Sequence, residues 1–386
     1  MSRDRIIPVN VPSLDGREAE YLLQCLETGW ISSEGPFVGE FENAFARMVG
    51  RRFGIAVANG TAALEVGVQA LKLEPGDEVI LPTFTIISCA GAVVRAGGIP
   101  VVVDCDPLTW NMDVEQIESV ITPRTRVIMV VHIYGLPVDM DPLLEIARKH
   151  GLTVIEDAAE AHGLTYKGRS CGSFGALSTF SFYPNKLVTT GEGGMIVTDD
   201  EHLAEQCRSI RNLCFQPEAR FIHEELGFNY RMTNLQAAIG LAQLERMEHS
   251  IHKKRTIGEA YKRWLSGLSA FEMPLAKTPF ADNIYWVYGL VLTDRALTSS
   301  AKEAIGLLNQ HGVGTRPFFW PMHEQPVFKR MGFFRGVTLP VSERLARRGF
   351  YVPSGLGMKM EDVRQCCRII WQIFGDGNMP EELRSR

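Results

Sequence analysis

The segment VIEDAAEAHGLTYKGRSCGSFGALSTFSFYPNKLVTTGEGGMIVT, residues 154–198, decides how this chain is read. It places an acid, Asp157, at the end of an apolar β-branched run and a lysine, Lys186, downstream among glycines and small hydroxyl residues. Working outward, EVILP (78–82), IPVVVD (99–104), RVIMVVHIYG (126–135) and LTVIED (152–157) are strand candidates. Amphipathic stretches such as ALEVGVQAL (63–71) and DPLLEIARKH (141–150) separate them. That alternation predicts βαβ units and an α/β fold with a mostly parallel sheet covered on both faces.

From about residue 233 the pattern becomes a long helical one, NLQAAIGLAQLERMEHSIHKKRTIGEAYKRWLSGL (234–268). It predicts a bridge to a smaller α+β part, in which YWVYGLVL (285–292) reads as a strand and SSAKEAIGLLNQHG (299–312) as a helix closed by its glycine. With 386 residues and 45% hydrophobic composition, two domains are expected, 1–245 and 246–386.

The net charge of −5 offers no basic field for nucleic acid or an anionic membrane, which leaves small molecules or a second copy of the chain as partners. The amino-terminal MSRDRIIPVNVPSLDG lacks the apolar stretch of a signal peptide, and the apolar runs are strand-sized, so a cytoplasmic location is expected. Eight cysteines without CxxC pairs read as free thiols, and His249 and His252 lack further ligands, so no metal is expected.

Taken singly, the residues of the central segment say little: an Asp after a strand is often a helix cap, and a Lys near glycine is usually a solvated loop residue. Together they meet the needs of pyridoxal phosphate (PLP) chemistry, which requires a lysine to bind the cofactor's aldehyde and an acid against its pyridine nitrogen. Asp157 would keep that nitrogen protonated, and Lys186, once displaced, would be a base able to move a proton. A nearby cationic ring and partial burial would lower the proton affinity of Lys186 as that role demands.

In VANGTAALEVGVQAL (57–71), Gly60, Thr61 and Ala62 fall at the expected start of a helix after a strand, where free N–H groups suit a phosphate. An ordinary capped helix has the same look. Neither GxGxxG nor GxxxxGK[ST] occurs, which argues against dinucleotide and P-loop readings.

NGTAALEVGVQAL, IEDAAEAHG, FSFYPNKLVTTGEGGMIVT and GFNYRMTNLQAAIGLAQLE together resemble the DegT/DnrJ/EryC1/StrS family of sugar aminotransferases, and the likeness runs from GWISSEGPFVGEFENAFA near residue 30 to RPFFWPMHEQPVF at 316–328. The resemblance implies the fold type I PLP-transferase architecture: a large domain around a seven-stranded-type sheet and a smaller α+β carboxy-terminal domain. It implies transamination of a nucleotide-linked keto sugar with L-glutamate as donor. TGEGG (190–194) and RPFFWPMH (316–323) are most similar to members that aminate carbon 4 of a GDP-linked 4-keto-6-deoxymannose.

By matching positions, Lys186 would be the Schiff-base lysine, Asp157 the partner of the pyridine nitrogen, and Glu160 a neighbour of the ring oxygen. Ser181, Gly60, Thr61 and Ala62 would hold the phosphate, while Asn229 would reach the phosphate of a neighbouring subunit, implying a homodimer. Ile86 stands where the family more often has an aromatic residue over the ring, so either Phe84 covers it or stacking is forfeited. Trp30, Ser32, Arg316 and His323 are the substrate-contact candidates. A PLP-dependent dehydratase of this fold would carry histidine in place of Lys186, and a non-catalytic relative would not keep Asp157, Ser181, Lys186 and Asn229 together.

Overall fold

The computed structural model describes residues 6–216 and 218–384. Seven strands form the main sheet: β1 (Phe53–Val57), β2 (Glu78–Pro82), β3 (Ile99–Val103), β4 (Thr125–Val131), β5 (Thr153–Asp157), β6 (Leu177–Ser181) and β7 (Gly194–Thr198). Their order is β1-β7-β6-β5-β4-β2-β3, with only β7 antiparallel to its neighbours. Six parallel strands, β1 to β6, therefore end at one edge, where α/β sheets place their ligands.

The RVIMVVHIYG stretch leaves the sheet earlier than expected, at Val131. Tyr134 and Gly135 adopt positive φ (55° and 103°), and the Gly135 carbonyl accepts a hydrogen bond from Ile284 N at 3.0 Å. A Cβ on Gly135 would stand 2.7 Å from Trp286 N, so the turn is made by a glycine because a later segment packs against its backbone.

Helix α1 (Gly60–Ala70) follows β1, capped by Asn59, whose side chain accepts from Ala62 N at 2.8 Å. Its small residues let it lie close on the sheet: a Cβ on Gly67 would be 3.0 Å from Leu177 Cδ1. Helix α2 (Ile87–Arg95) follows β2 in the same way.

The helical run expected over 234–268 is two helices, α3 (Asn234–Leu244) and α4 (Met247–Trp264). The break falls where two side chains are drawn to the amino-terminal segment. Glu245 accepts from the Tyr21 hydroxyl at 2.5 Å, and Arg246 pairs with Asp15.

A second sheet comprises β8 (Phe271–Glu272), β9 (Tyr288–Leu292), β10 (Arg316–Pro317) and β11 (Gly349–Val352), antiparallel in the order β8-β9-β11-β10. The predicted helix is present as Ala301–Gln310, capped by Ser300 and followed by Gly312 at φ 78°. Two buried apolar clusters result, one around the large sheet and one around the second sheet with α4. Exchange between them is mutual: Ile7 packs in the second, whereas Trp286, Phe318 and Met322 pack in the first. Among the described residues no helix is long and apolar enough to cross a membrane.

Candidate active site

A cleft of about 670 Å³ opens at the carboxyl edge of the large sheet. Gly60, Thr61, Ala62, Ile86, Asp157, Glu160, Ser181 and Lys186 all line it. Residues far apart in sequence meet there because their strands end at the same edge.

Lys186 sits on the loop from β6 to β7. That loop is closed on itself by Lys186 N to the Tyr183 carbonyl (2.9 Å), Thr190 N to the Phe182 carbonyl (3.0 Å) and the Thr189 hydroxyl to the same carbonyl (2.9 Å). Lys186 Nζ lies 3.7 Å from Glu160 Oε1 and 3.9 Å from the centre of the Trp286 ring. Burial pushes the Lys186 amine below the ordinary lysine range, opposed by the nearby carboxylates of Glu160 and Asp157.

Asp157 ends β5 and is 3% exposed. Its carboxylate accepts from Ala159 N at 3.0 Å and from the Cys89 thiol at 3.2 Å, and burial raises its proton affinity. Glu160 accepts from Tyr134 N at 2.9 Å and is likewise raised by burial. Two buried carboxylates beside one lysine form an acid–base cluster with proton affinities far from those of solvated groups, a common mark of a reactive site.

The phosphate candidates also converge. The first residues of α1, Gly60, Thr61 and Ala62, line the cleft together with Ser181, at a helix start whose first N–H groups have no acceptor within the helix itself. Thr61 Oγ1 is 2.8 Å from Ser88 Oγ, which joins the starts of α1 and α2. A Cβ on Gly60 would lie 2.7 Å from Ser181 Cβ, so the cradle is shaped by a bare backbone.

The sequence profile of the DegT/DnrJ/EryC1/StrS aminotransferase family matches residues 12–371. The chain belongs to this family. It is 43% identical to the GDP-perosamine synthase of Caulobacter vibrioides, over 95% of this chain and 98% of the relative. Identity to the GDP-perosamine synthase of Escherichia coli O157:H7 is 40%, over 96% and 100%. Among solved structures, DesI in the presence of its TDP-sugar product matches with a TM-score of 0.85 and 31% identity, over 96% of this chain and 93% of that one. Helicobacter pylori PseC, at 22% identity, shares the fold with a TM-score of 0.90.

The protein is a PLP-dependent aminotransferase of the DegT/DnrJ/EryC1/StrS family. Its residues fit the cofactor: a buried lysine for the aldehyde, a buried carboxylate for the pyridine nitrogen, and a glycine-floored anion cradle.

Other candidates of this family member lie elsewhere. Phe84 is fully buried against Tyr134, Phe318 and Phe319 and does not line the cleft, which Ile86 lines at 43% exposure. His323 does not line the cleft: it is 2% exposed, with Nδ1 2.8 Å from Thr83 Oγ1 and Nε2 3.2 Å from Glu343 Oε1. It ties the end of β2 to the Pro340–Arg348 helix instead of facing the cleft as expected of a substrate contact.

Trp30 and Ser32 are also away from the chain's own cleft, in a separate surface cavity with Arg208, Arg211 and Arg231. Their carbonyls are held by the start of α3, through Asn234 Nδ2 to Trp30 (2.8 Å) and Asn234 N to Ser32 (2.7 Å). Asn229 is exposed and bridges to Asn212, which lines the same cavity. Arg316 is exposed next to Pro317, which lines the cleft, and pairs with Tyr351.

Sequence reasoning missed Trp286, Tyr351, Tyr230 and Ser88 in the cleft wall. Trp286 was hidden inside YWVYGLVL, whose strand begins only at Tyr288. The usable signal was Asn283, whose side chain accepts from Tyr285 N at 2.6 Å and turns the chain before the strand.

Proposed function

We propose that this aminotransferase converts a nucleotide-linked 4-keto-6-deoxy sugar into the corresponding amino sugar nucleotide, with L-glutamate as amino donor. The observation that carries the reading is the meeting of Lys186, Asp157 and Glu160 beside the cradle of Gly60 and Ser181 at one end of the cleft. The GDP-perosamine synthases, similar over almost their whole length, favour the 4-keto-6-deoxy class.

PLP, when bound, accepts and returns the amino group and stabilises the electron pair left when a carbon–hydrogen bond breaks. Around it, Lys186 holds the cofactor covalently at Nζ and, when released, carries a proton to or from the substrate carbon. Asp157 keeps the pyridine nitrogen protonated, and Glu160 lies by the ring oxygen. Gly60, Thr61, Ala62 and Ser181 bind the phosphate. Ile86 covers the ring face and forfeits aromatic stacking of roughly 0.5–1.5 kcal/mol.

The working unit in this proposal is a homodimer with shared sites. Asn229, Trp30 and Ser32 lie around one surface region outside their own cleft, suited to complete the site of a second copy. Arg316, exposed near the cleft, is suited to the diphosphate. We set the domain boundary at 245/246, in the break between α3 and α4.

The test is an absorbance spectrum of the protein with PLP, followed through L-glutamate addition and then a panel of GDP-, UDP- and dTDP-linked keto sugars. Glutamate should bleach the band of lysine-bound PLP, one keto sugar should restore it, and Lys186→Ala should abolish the cycle. A protein that never forms the band overturns the reading.

A further inference from the structure

The ring beneath Lys186 comes from the carboxy-terminal part of the chain and is fixed on every side. Trp286 is 4% exposed. Its Nε1–H donates to the Asn185 carbonyl at 2.9 Å, one residue before the lysine. Its own carbonyl accepts from Lys254 Nζ at 2.7 Å, and Lys254, 3% exposed, also donates to the Ser354 carbonyl at 2.6 Å. The indole stacks on Tyr134 with centroids 5.9 Å apart and planes 27° from parallel. Tyr134 N in turn donates to Glu160, the carboxylate 3.7 Å from the lysine Nζ. Such anchoring holds an aromatic face at one place in the cleft rather than merely filling space.

Nζ thus stands 3.7 Å from a carboxylate and 3.9 Å from an indole centre. An ammonium over an indole face is attracted by the ring quadrupole, most strongly when water is excluded. We propose that the indole face of Trp286 is the docking position of the detached Lys186 ammonium, holding the side chain and its proton within reach of Glu160 whenever Nζ is not bonded to the cofactor. The inference rests on the role of Lys186 given above and adds a residue that sets where the free lysine waits and how tightly it keeps its proton.

The titratable groups around Nζ are Asp157 at the end of β5, Glu160 on the loop after it, His162 beyond them, Tyr183 on the lysine's own loop, Tyr351 on β11, and Lys254 behind the indole. Glu160 and Asp157 favour the ammonium, and burial disfavours it. The ring adds to the carboxylates' side, so weakening its π face must lower the pH at which Lys186 deprotonates.

Fluorinated tryptophan tests this without altering the backbone. The full-length chain is produced with tryptophan, 5-fluorotryptophan or a trifluorinated analogue, freed of PLP, and labelled with 1-fluoro-2,4-dinitrobenzene across pH. Modification at Lys186 is read by peptide mass. The labelling midpoint should fall stepwise with fluorination, by up to about 0.4–1.5 pH units for full loss of the ring attraction. The chain has six tryptophans, so the same series is run in Trp286→Phe, where the fluorine dependence should vanish. A flat series in the parent, or a dependence that persists in Trp286→Phe, overturns the proposal. Because the readout needs no cofactor, it stands apart from the test of the proposed function: a chain that never binds PLP covalently still reports its lysine midpoint.

Discussion

A Cβ on Gly60 would stand 2.7 Å from the Cβ of Ser181 and 3.0 Å from its Oγ, so the start of helix α1 touches the last residue of strand β6 through bare backbone. Gly60→Ala must therefore push the two apart and open the anion cradle. PLP affinity should fall roughly tenfold or more, equivalent to about 1.4 kcal/mol, as measured by titrating the purified variant with PLP. Unchanged affinity would remove this cradle from the phosphate site.

Asp157→Asn keeps the shape of the side chain and removes its charge from the position assigned to the pyridine nitrogen. We expect kcat to fall by roughly 10²–10⁴-fold while covalent PLP binding through Lys186 persists. A kcat within tenfold of the parent would contradict the assignment of Asp157.

The proposed sharing of sites between two copies makes a complementation prediction. Lys186→Ala and Asn229→Ala dimers should each be impaired, yet mixing them under conditions of subunit exchange should restore activity. In each mixed dimer one site combines an intact lysine from one chain with an intact asparagine from the other. Statistical exchange gives up to about a quarter of parental activity. No gain on mixing, with exchange verified by mass, would place Asn229 outside the partner's site.

His323 joins Thr83 to Glu343 in the interior rather than facing the cleft. His323→Ala should cost roughly 1–3 kcal/mol of stability, seen as a lowered thermal midpoint, and should leave KM for the keto sugar within about twofold. A large rise in KM without loss of stability would return His323 to the substrate.

Lys254 predicts a pH dependence of stability. Burial lowers its amine from the ordinary 10.5 to about 7. Between those values the unfolded chain binds more protons than the folded one, so this group makes stability rise with pH across that window. Lys254→Met removes the effect and also strips the donor from the Trp286 and Ser354 carbonyls. In urea melts the parent's advantage over the variant should grow from pH 7 to pH 10; a constant or shrinking difference would mean that Lys254 is not held at a lowered proton affinity.

Much was legible in the sequence because it rests on local rules. The runs of β-branched residues set β2, β3 and β5, α1 starts at Gly60 as expected, and the acid closing LTVIED falls at a strand end. The family resemblance placed Lys186, Asp157, Glu160 and Ser181 in one site, and all four line the cleft at the common edge to which the parallel sheet delivers its strand ends.

Tertiary structure decided what local pattern cannot carry. Trp286 reaches Lys186 only because a turn at Gly135 admits its backbone and because Lys254, 32 residues earlier, holds its carbonyl. His323 became an interior tie because the chain folds it under β2, and Trp30 and Ser32 were drawn to the surface that carries Asn229. Periodicity and capping fix what each segment becomes. Which side chains meet depends on packing between segments far apart in the chain, where burial and hydrogen bonding, rather than propensity, choose the partners.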